Sequence, residues 1–160
     1  MKTMNDRVNH EMWMLKVIKQ AEKAYASDEV PIGCVIVKDD LIIGQGYNQV
    51  EQLKDATAHC EMIAITSAAN YLGDWRLNNC SIYVTKEPCV MCFGAIVNSR
   101  IKNLHFGLQD FKNGFKIKTN ESSFINSHLE NIDYGILENE CRFLIEDFFV
   151  NKRKKNKKSY

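Results

Sequence analysis

No run of apolar residues in this chain approaches the roughly 18–20 needed to cross a bilayer, which excludes a helical membrane span. The opening Met1-Lys2-Thr3-Met4-Asn5-Asp6 lacks the apolar core of a secretory signal, so the expectation is a cytoplasmic protein. Proline is scarce, with two in 160 residues, and no Pro-rich linker, Gly/Ser-rich stretch or internal repeat divides the chain. Neither sign of charge dominates overall: 21 Lys+Arg stand against 20 Asp+Glu. With 45% apolar residues, wholesale disorder is excluded as well. A chain this long buries about 70% of its unfolded surface, enough for one ordinary core. The reading is a single domain over residues 1–150 followed by a basic C-terminal tail, 151–160. In a reducing compartment the six cysteines are expected as thiols or metal ligands, not disulfides.

The near-zero net charge conceals an asymmetry. Residues 152–160 hold six basic side chains and no acid, leaving 15 basic against 20 acidic residues before them, a net of −5. A second basic excess, +4, lies between Asn98 and Thr119, where Arg100, Lys102, Lys112, Lys116 and Lys118 face only Asp110. A lysine-rich end reads either as solvated, frayed chain or as a contact for a polyanion, whose phosphates release counterions to Lys and Arg. Charge alone does not choose between them.

Met14, Ile18, Ala21 and Tyr25 recur at helical spacing, predicting an amphipathic helix over about His10–Ala26 that stops before Pro31. Ile32–Val37 reads as a buried strand, Asp39-Asp40 as a turn and Leu41–Gly44 as the returning strand. A helix is expected from Ala58 to Leu72, with Ile65, Ala68, Ala69 and Leu72 on one face, Thr57 as N-cap and Gly73 as its stop. Ser81–Thr85 is a third strand, and Pro88 fits the first turn of a helix reaching about Asn98. A fourth strand over Ile101–Phe106, mostly loop to about Asn131, a short strand near Ile132–Ile136 and a helix over Glu138–Val150 complete the chain. That last helix turns Cys141, Leu144, Ile145 and Phe148 inward. Strands alternating with helices after an opening hairpin predict an α/β fold. We expect three layers, α/β/α, with a mixed five-stranded sheet and helices on both faces.

Four residues carry chemistry: His59, Glu61, Cys89 and Cys92. Cys89 and Cys92 stand at i and i+3, so both sulfurs face one side of a helix, and His59 lies in the first turn of the preceding helix. If the strands at Ile32 and Ser81 share a sheet, both helix N-termini emerge at the same end. The positive end of a helix favours the thiolates that a metal needs. One imidazole and two thiolates suit zinc, and three protein ligands are the number of a catalytic site that keeps a corner for water. Zinc lowers the pKa of such a water to about 7, and Glu61, two residues from His59, is placed to move its proton. The competing readings are a Cys-x-x-Cys redox pair, or a closed structural zinc with Cys60, Cys80 or His105 as fourth ligand. Cys34, Cys80 and Cys141 read as buried small hydrophobes, His10 and His128 as surface residues, and His105 as a satisfied core or edge histidine. Trp13, Trp75 and the methionines read as packing.

The pair His59-Cys60-Glu61 and Pro88-Cys89-Val90-Met91-Cys92 resembles the His-x-Glu and Pro-Cys-x-x-Cys pattern of zinc nucleobase deaminases. The chain resembles the tRNA-specific adenosine deaminases along nearly its whole length. The likeness rests on Glu29-Val30-Pro31-Ile32-Gly33, Gly46-Tyr47-Asn48, Asp55 to Glu61, Trp75-Arg76-Leu77 and Tyr83-Val84-Thr85 through Cys92. It continues in Ser99-Arg100-Ile101, Phe106-Gly107, Asp110-x-Lys112-x-Gly114, Gly135-Ile136-Leu137, Glu140-Cys141 and Asp147-Phe148-Phe149.

This resemblance implies a cytidine deaminase-like fold, one Zn2+ per subunit held by His59, Cys89 and Cys92, and Glu61 as proton shuttle. It further implies that Asn48 hydrogen-bonds the purine, that Val30 forms an apolar wall against the flipped base, and that Asp110 lies near the target ribose. The implied reaction converts adenosine to inosine at the wobble position of a tRNA anticodon, normally that of an arginine tRNA, and releases ammonia. The implied assembly is a homodimer whose sites are completed by the partner subunit. Three departures stand out: Cys60 where Ala is usual, Lys86 where an apolar residue is commoner, and Phe115-Lys116-Ile117-Lys118 where small residues are usual. Two other functions compete: deamination of a free base such as guanine or cytosine, and a non-catalytic zinc-stabilised RNA-binding module.

Overall fold

In the computed structural model, which describes residues 4–119 and 128–157, five strands form one mixed sheet. They are β1 (Gly33–Lys38), β2 (Leu41–Tyr47), β3 (Ser81–Lys86), β4 (Asn103–Leu108) and β5 (Asn131–Tyr134), in the spatial order β2-β1-β3-β4-β5. β1 is antiparallel to both its neighbours, while β3, β4 and β5 run parallel. The helices are α1 (Met4–Ala26), α2 (Val50–Leu53), α3 (Cys60–Leu72), α4 (Val90–Asn98), α5 (Phe115–Lys118) and α6 (Glu138–Lys157). The β1–β2 hairpin turns through Asp39 (φ 49°) and Asp40 (φ 58°), both left-handed, the two-residue turn whose twist suits paired strands.

Strand side chains alternate between faces, and both faces are buried. Cys34, Ile36, Ile82, Val84, Leu104 and Phe106 pack with Ala64 and Ala68 of α3 and with Phe93 and Ile96 of α4. Val35, Val37 and Tyr83 pack on the other side with Trp13, Met14 and Val17 of α1 and Cys141 of α6. This is the expected sheet with helices on both faces. α3 lies unusually close to β2 because Gly44 and Gly46 have no side chain to hold it off. A Cβ on Gly44 would stand 2.5 Å from the Ala64 carbonyl oxygen, and one on Gly46 2.5 Å from that of Cys60. The two glycines thereby fix the height of the α3 N-terminus above the sheet.

Several boundaries differ from expectation. α1 begins at Met4, before His10, and the four-residue helix α2 falls in a stretch that no periodicity marked. Thr57 does not cap α3. His59 holds the N-cap position (φ −73°, ψ 150°), while Thr57 gives its N–H and hydroxyl to Asp55 Oδ1 in a tight local turn. Pro88 stands one residue before the N-cap of α4, which is Cys89. Its carbonyl is occupied by the Phe115 N–H, which ties the α5 segment to this turn.

The expected loop after Gly107 contains α5; its residues 120–127 lie outside the described residues. α6 runs through Lys157, beyond the expected end at Val150. Asn151 donates to Tyr25 Oη at 2.9 Å, and Lys152 and Lys155 approach Asp28 at 3.8 Å, so the basic segment as far as Lys157 is helix docked on the body. Lys158 lies outside the described residues. His10 is half-buried, not fully at the surface: it packs against Tyr83 and His105. Trp75 is 51% exposed and is flanked by the guanidinium groups of Arg76 and Arg100 instead of being packed away. Among the described residues no helix is long and apolar enough to cross a membrane.

Candidate active site

β2 and β3 run in the same direction because each is antiparallel to β1 between them. Each leads on to a helix, so the N-termini of α3 and α4 open at one end of the sheet. His59 sits at the N-cap of α3, Cys89 at the N-cap of α4 and Cys92 in the first turn of α4. His59 Nδ1 is 3.7 Å from Cys89 Sγ and 3.5 Å from Cys92 Sγ. Bonds of 2.3 Å to sulfur and 2.0–2.1 Å to nitrogen at tetrahedral angles place N and S roughly 3.5–3.6 Å apart. The donor set and its spacing therefore fit a tetrahedral metal cradle.

The electrostatics agree. The Cys89 thiol is lowered to about 3, chiefly by the hydrogen bond from Cys92 and, against desolvation, by that of His59. Cys92 is pushed up by that same hydrogen bond and by burial. The first negative charge in the cradle thus settles on Cys89. His59 is raised by its hydrogen bond to Cys89, against desolvation.

No fourth histidine, cysteine or carboxylate joins these three within ligand range among the described residues. Cys60 turns away: its thiol donates to Glu61 Oε2 at 3.2 Å, deep in the protein. Cys80 is buried in the core under α3 and α4, and His105 is on the opposite face of the sheet. Glu61 is 4% exposed, and burial raises its carboxyl above the usual range, partly opposed by the Cys60 thiol and by His59. A carboxyl with a raised pKa is suited to exchange a proton near neutrality. Asn48 is also buried, and its Oδ1 accepts the Cys60 N–H at 3.0 Å. That contact fixes the amide and leaves its NH2 as the donor toward the cleft.

His59, Cys89, Glu61 and Asn48 line a cleft of about 530 Å³, the size of an ordinary small-ligand site. Ile32 and Val90 give it apolar walls; Val30, two residues before Ile32, does not line it. Asp110 does line it, and there it meets Lys86 at 2.6 Å. Lys86 had no role assigned from the sequence; the structure makes it the counter-charge of Asp110. Glu87 was missed altogether. It is buried, and its two oxygens accept the N–H groups of Asp110 and Lys116, clasping the rim to the end of β3. An acid between the apolar strand Ser81–Thr85 and Pro88-Cys89 is the sequence signal that points to it. Phe115, where the resemblance implied a small residue, is a packing residue whose ring stacks on Phe93 with centroids 3.8 Å apart.

Desolvation raises the Asp110 carboxyl, but Lys86 and the N–H groups of Asn113 and Lys112 outweigh it and hold the group below the usual range. Its contribution to stability is present above the unfolded value, about 3.9, and is lost as pH falls through the lower folded value. Asp110→Asn is expected to cost about 1 kcal/mol at pH 7. Urea unfolding carried downward from pH 7 should find the gap between wild type and variant closing in the acid. A gap that stays constant would remove the carboxylate from the account.

A three-ligand cradle with a buried carboxylate beside it can be set against known proteins. The MafB19-like deaminase family profile matches residues 8–156. A tRNA-specific adenosine deaminase of Streptococcus pyogenes serotype M18 is 40% identical over 152 residues, covering 92% of this chain and 94% of its own length. The chain belongs to the tRNA-specific adenosine deaminase family. A structure from work on A-to-I editing by tRNA:A34 deaminases at the wobble position of transfer RNA matches with TM-score 0.75 and 36% identity. It covers 82% of this chain and 96% of that one. A guanine deaminase from Bacillus subtilis is 39% identical with TM-score 0.60, over 62% of this chain and 64% of that one. The tRNA adenosine deaminase matches at 36–40% identity cover most of the chain, whereas this Bacillus subtilis guanine deaminase, at 39% identity, matches less of it. As a member of the tRNA-specific adenosine deaminase family, the chain has the cytidine deaminase-like arrangement expected from its motifs.

Proposed function

We propose that this chain deaminates adenosine to inosine in tRNA, at the wobble position of an anticodon such as that of an arginine tRNA. The observation that carries the reading is the trio His59, Cys89 and Cys92 at metal-ligand spacing with buried Glu61 in the same cleft. The soft donors and tetrahedral spacing favour Zn2+, one per subunit. A zinc ion in this cradle would supply activated solvent at neutral pH. The remaining work belongs to the chain. Glu61 takes a proton from the attacking solvent and delivers it toward the departing amine, so that water enters, ammonia leaves and the C6 amine of adenine becomes the carbonyl of inosine. Asn48 donates from its NH2 to a ring nitrogen, and Ile32 and Val90 hold the flipped base out of water. Asp110, fixed by Lys86 and the turn amides, accepts a hydrogen bond from the target nucleotide's ribose. A loop nucleotide is cheaper to extrude than a paired one, which suits a pocket of this kind.

Incubating the purified protein with total tRNA and mapping inosine by position tests the reading. Inosine confined to position 34 is expected. Ammonia release from free guanine or cytosine, with no inosine in tRNA, would replace it by the free-base alternative.

A body of negative net charge needs local positive strips to hold tRNA, and the Lys-rich rim and the end of α6 supply them. Arg153, Lys154 and Lys157 are exposed on α6. Changing all three to Gln should weaken tRNA binding and make its salt dependence shallower, by up to about one unit of slope per residue in contact with phosphate. An unchanged slope would return this segment to plain solvated helix. The reading also includes a homodimer in the cytoplasm. The exposed apolar residues Val90 and Met91, which line the cleft, support a second copy of the chain at its edge.

A further inference from the structure

On the face of the sheet away from the cleft, strand register sets three polar side chains in a row. Tyr83 on β3 pairs with His105 on β4, and His105 pairs with Asp133 on β5. The ring of His105 stacks on Tyr83 with centroids 4.5 Å apart. α1 brings His10 over this row, its ring centroid 4.4 Å from that of His105. His105 is 4% exposed, and His10 and Asp133 are half-buried beside it, so two imidazoles and a carboxylate meet at the partly covered edge of the sheet.

We propose that His10, His105 and Asp133 form a second divalent-metal site, of the zinc class, which cross-links α1 to β4 and β5. It is independent of the reaction assigned to the cleft. One ligand atom from each residue lies within 4.8 Å of the other two. His105 Nδ1 and Asp133 Oδ2 are already 3.2 Å apart. Bonds of 2.0–2.2 Å at tetrahedral angles require roughly 3.3–3.5 Å between ligand atoms. The histidine–aspartate pair therefore stands near its liganded spacing, and His10 would have to draw in from within 4.8 Å to complete the set.

Tyr83 supplies the outer support that metal-ligating histidines usually have. His10 Nδ1 is 2.9 Å from its hydroxyl, which holds the ring beside His105. Burial pushes the Tyr83 hydroxyl up, so it remains a neutral partner. Two imidazoles and one carboxylate are a donor set of zinc sites, and they contain no thiolate, unlike the cradle in the cleft. The two sites can therefore be told apart by spectroscopy.

Cobalt(II) is the probe, loaded into the full-length protein and followed by metal analysis and absorption. Wild type should bind two equivalents. His105→Gln and Asp133→Asn should each bind one and keep the near-ultraviolet thiolate-to-cobalt charge-transfer band. The double variant Cys89→Ser/Cys92→Ser should keep one equivalent and lose that band. Asp133 is at an edge strand and Asn is its isostere, so the Asp133→Asn result stands even if the cysteine variant does not fold. One equivalent in wild type with cobalt in excess, or two retained in both His105→Gln and Asp133→Asn, overturns the proposal and leaves a hydrogen-bonded network without metal.

Discussion

Glu61→Gln is expected to leave metal content and tRNA affinity near wild type while lowering single-turnover inosine formation by about a thousand-fold or more. The glutamine side chain keeps the shape of the buried carboxyl and one acceptor oxygen, but it can neither take nor give a proton. Positioned acid–base groups contribute about 10²–10⁴-fold, and here one group is asked to act twice, on the entering solvent and on the leaving amine. That places the loss toward the upper end. Burial supports the assignment, because a carboxyl held above its usual range takes up a proton more readily near neutral pH. A variant working within ten-fold of wild type would show that the protons travel by another route.

The second large effect is expected from Cys92→Ser. The variant should bind one metal equivalent fewer than wild type and lose inosine formation altogether. A serine hydroxyl does not ionise near neutrality and is a poor substitute for a soft thiolate. Stability should fall too, since the cradle links the N-termini of α3 and α4, and a ligand that binds only the folded state stabilises it. At a free concentration a thousand times its dissociation constant, such a ligand contributes about 4 kcal/mol. Metal analysis after dialysis against a chelator and the Tm with and without added zinc check both parts. Full metal content in Cys92→Ser would exclude the sulfur as a ligand.

Much of the site could be read without coordinates because its parts are close together in the chain. His59 and Glu61 are two residues apart and Cys89 and Cys92 three, and a helix N-terminus turns such spacings directly into geometry. The helical and alternating periods likewise gave most elements to within a few residues. Thr57 does not cap α3 because its hydroxyl donates to nearby Asp55 instead of accepting an N–H at the open end of the helix. Ile32, just before β1, lines the cleft although no site role attached to it in the sequence, because only the fold sets it beside Val90. Trp75 looked like core by composition; only its position between two arginines showed a solvent-facing ring.

By itself, the sequence determined the layered α/β fold and singled out the imidazole, the two thiols and the acid of the proposed site, because each follows from local spacing and side-chain chemistry. Tertiary structure alone decided that Lys86 answers Asp110, that Glu87 clasps the rim and that His10 meets His105 and Asp133. The latter contacts join residues more than twenty positions apart through strand register and helix packing. Those depend on the free energy of the whole assembled core, which no short stretch of chain encodes.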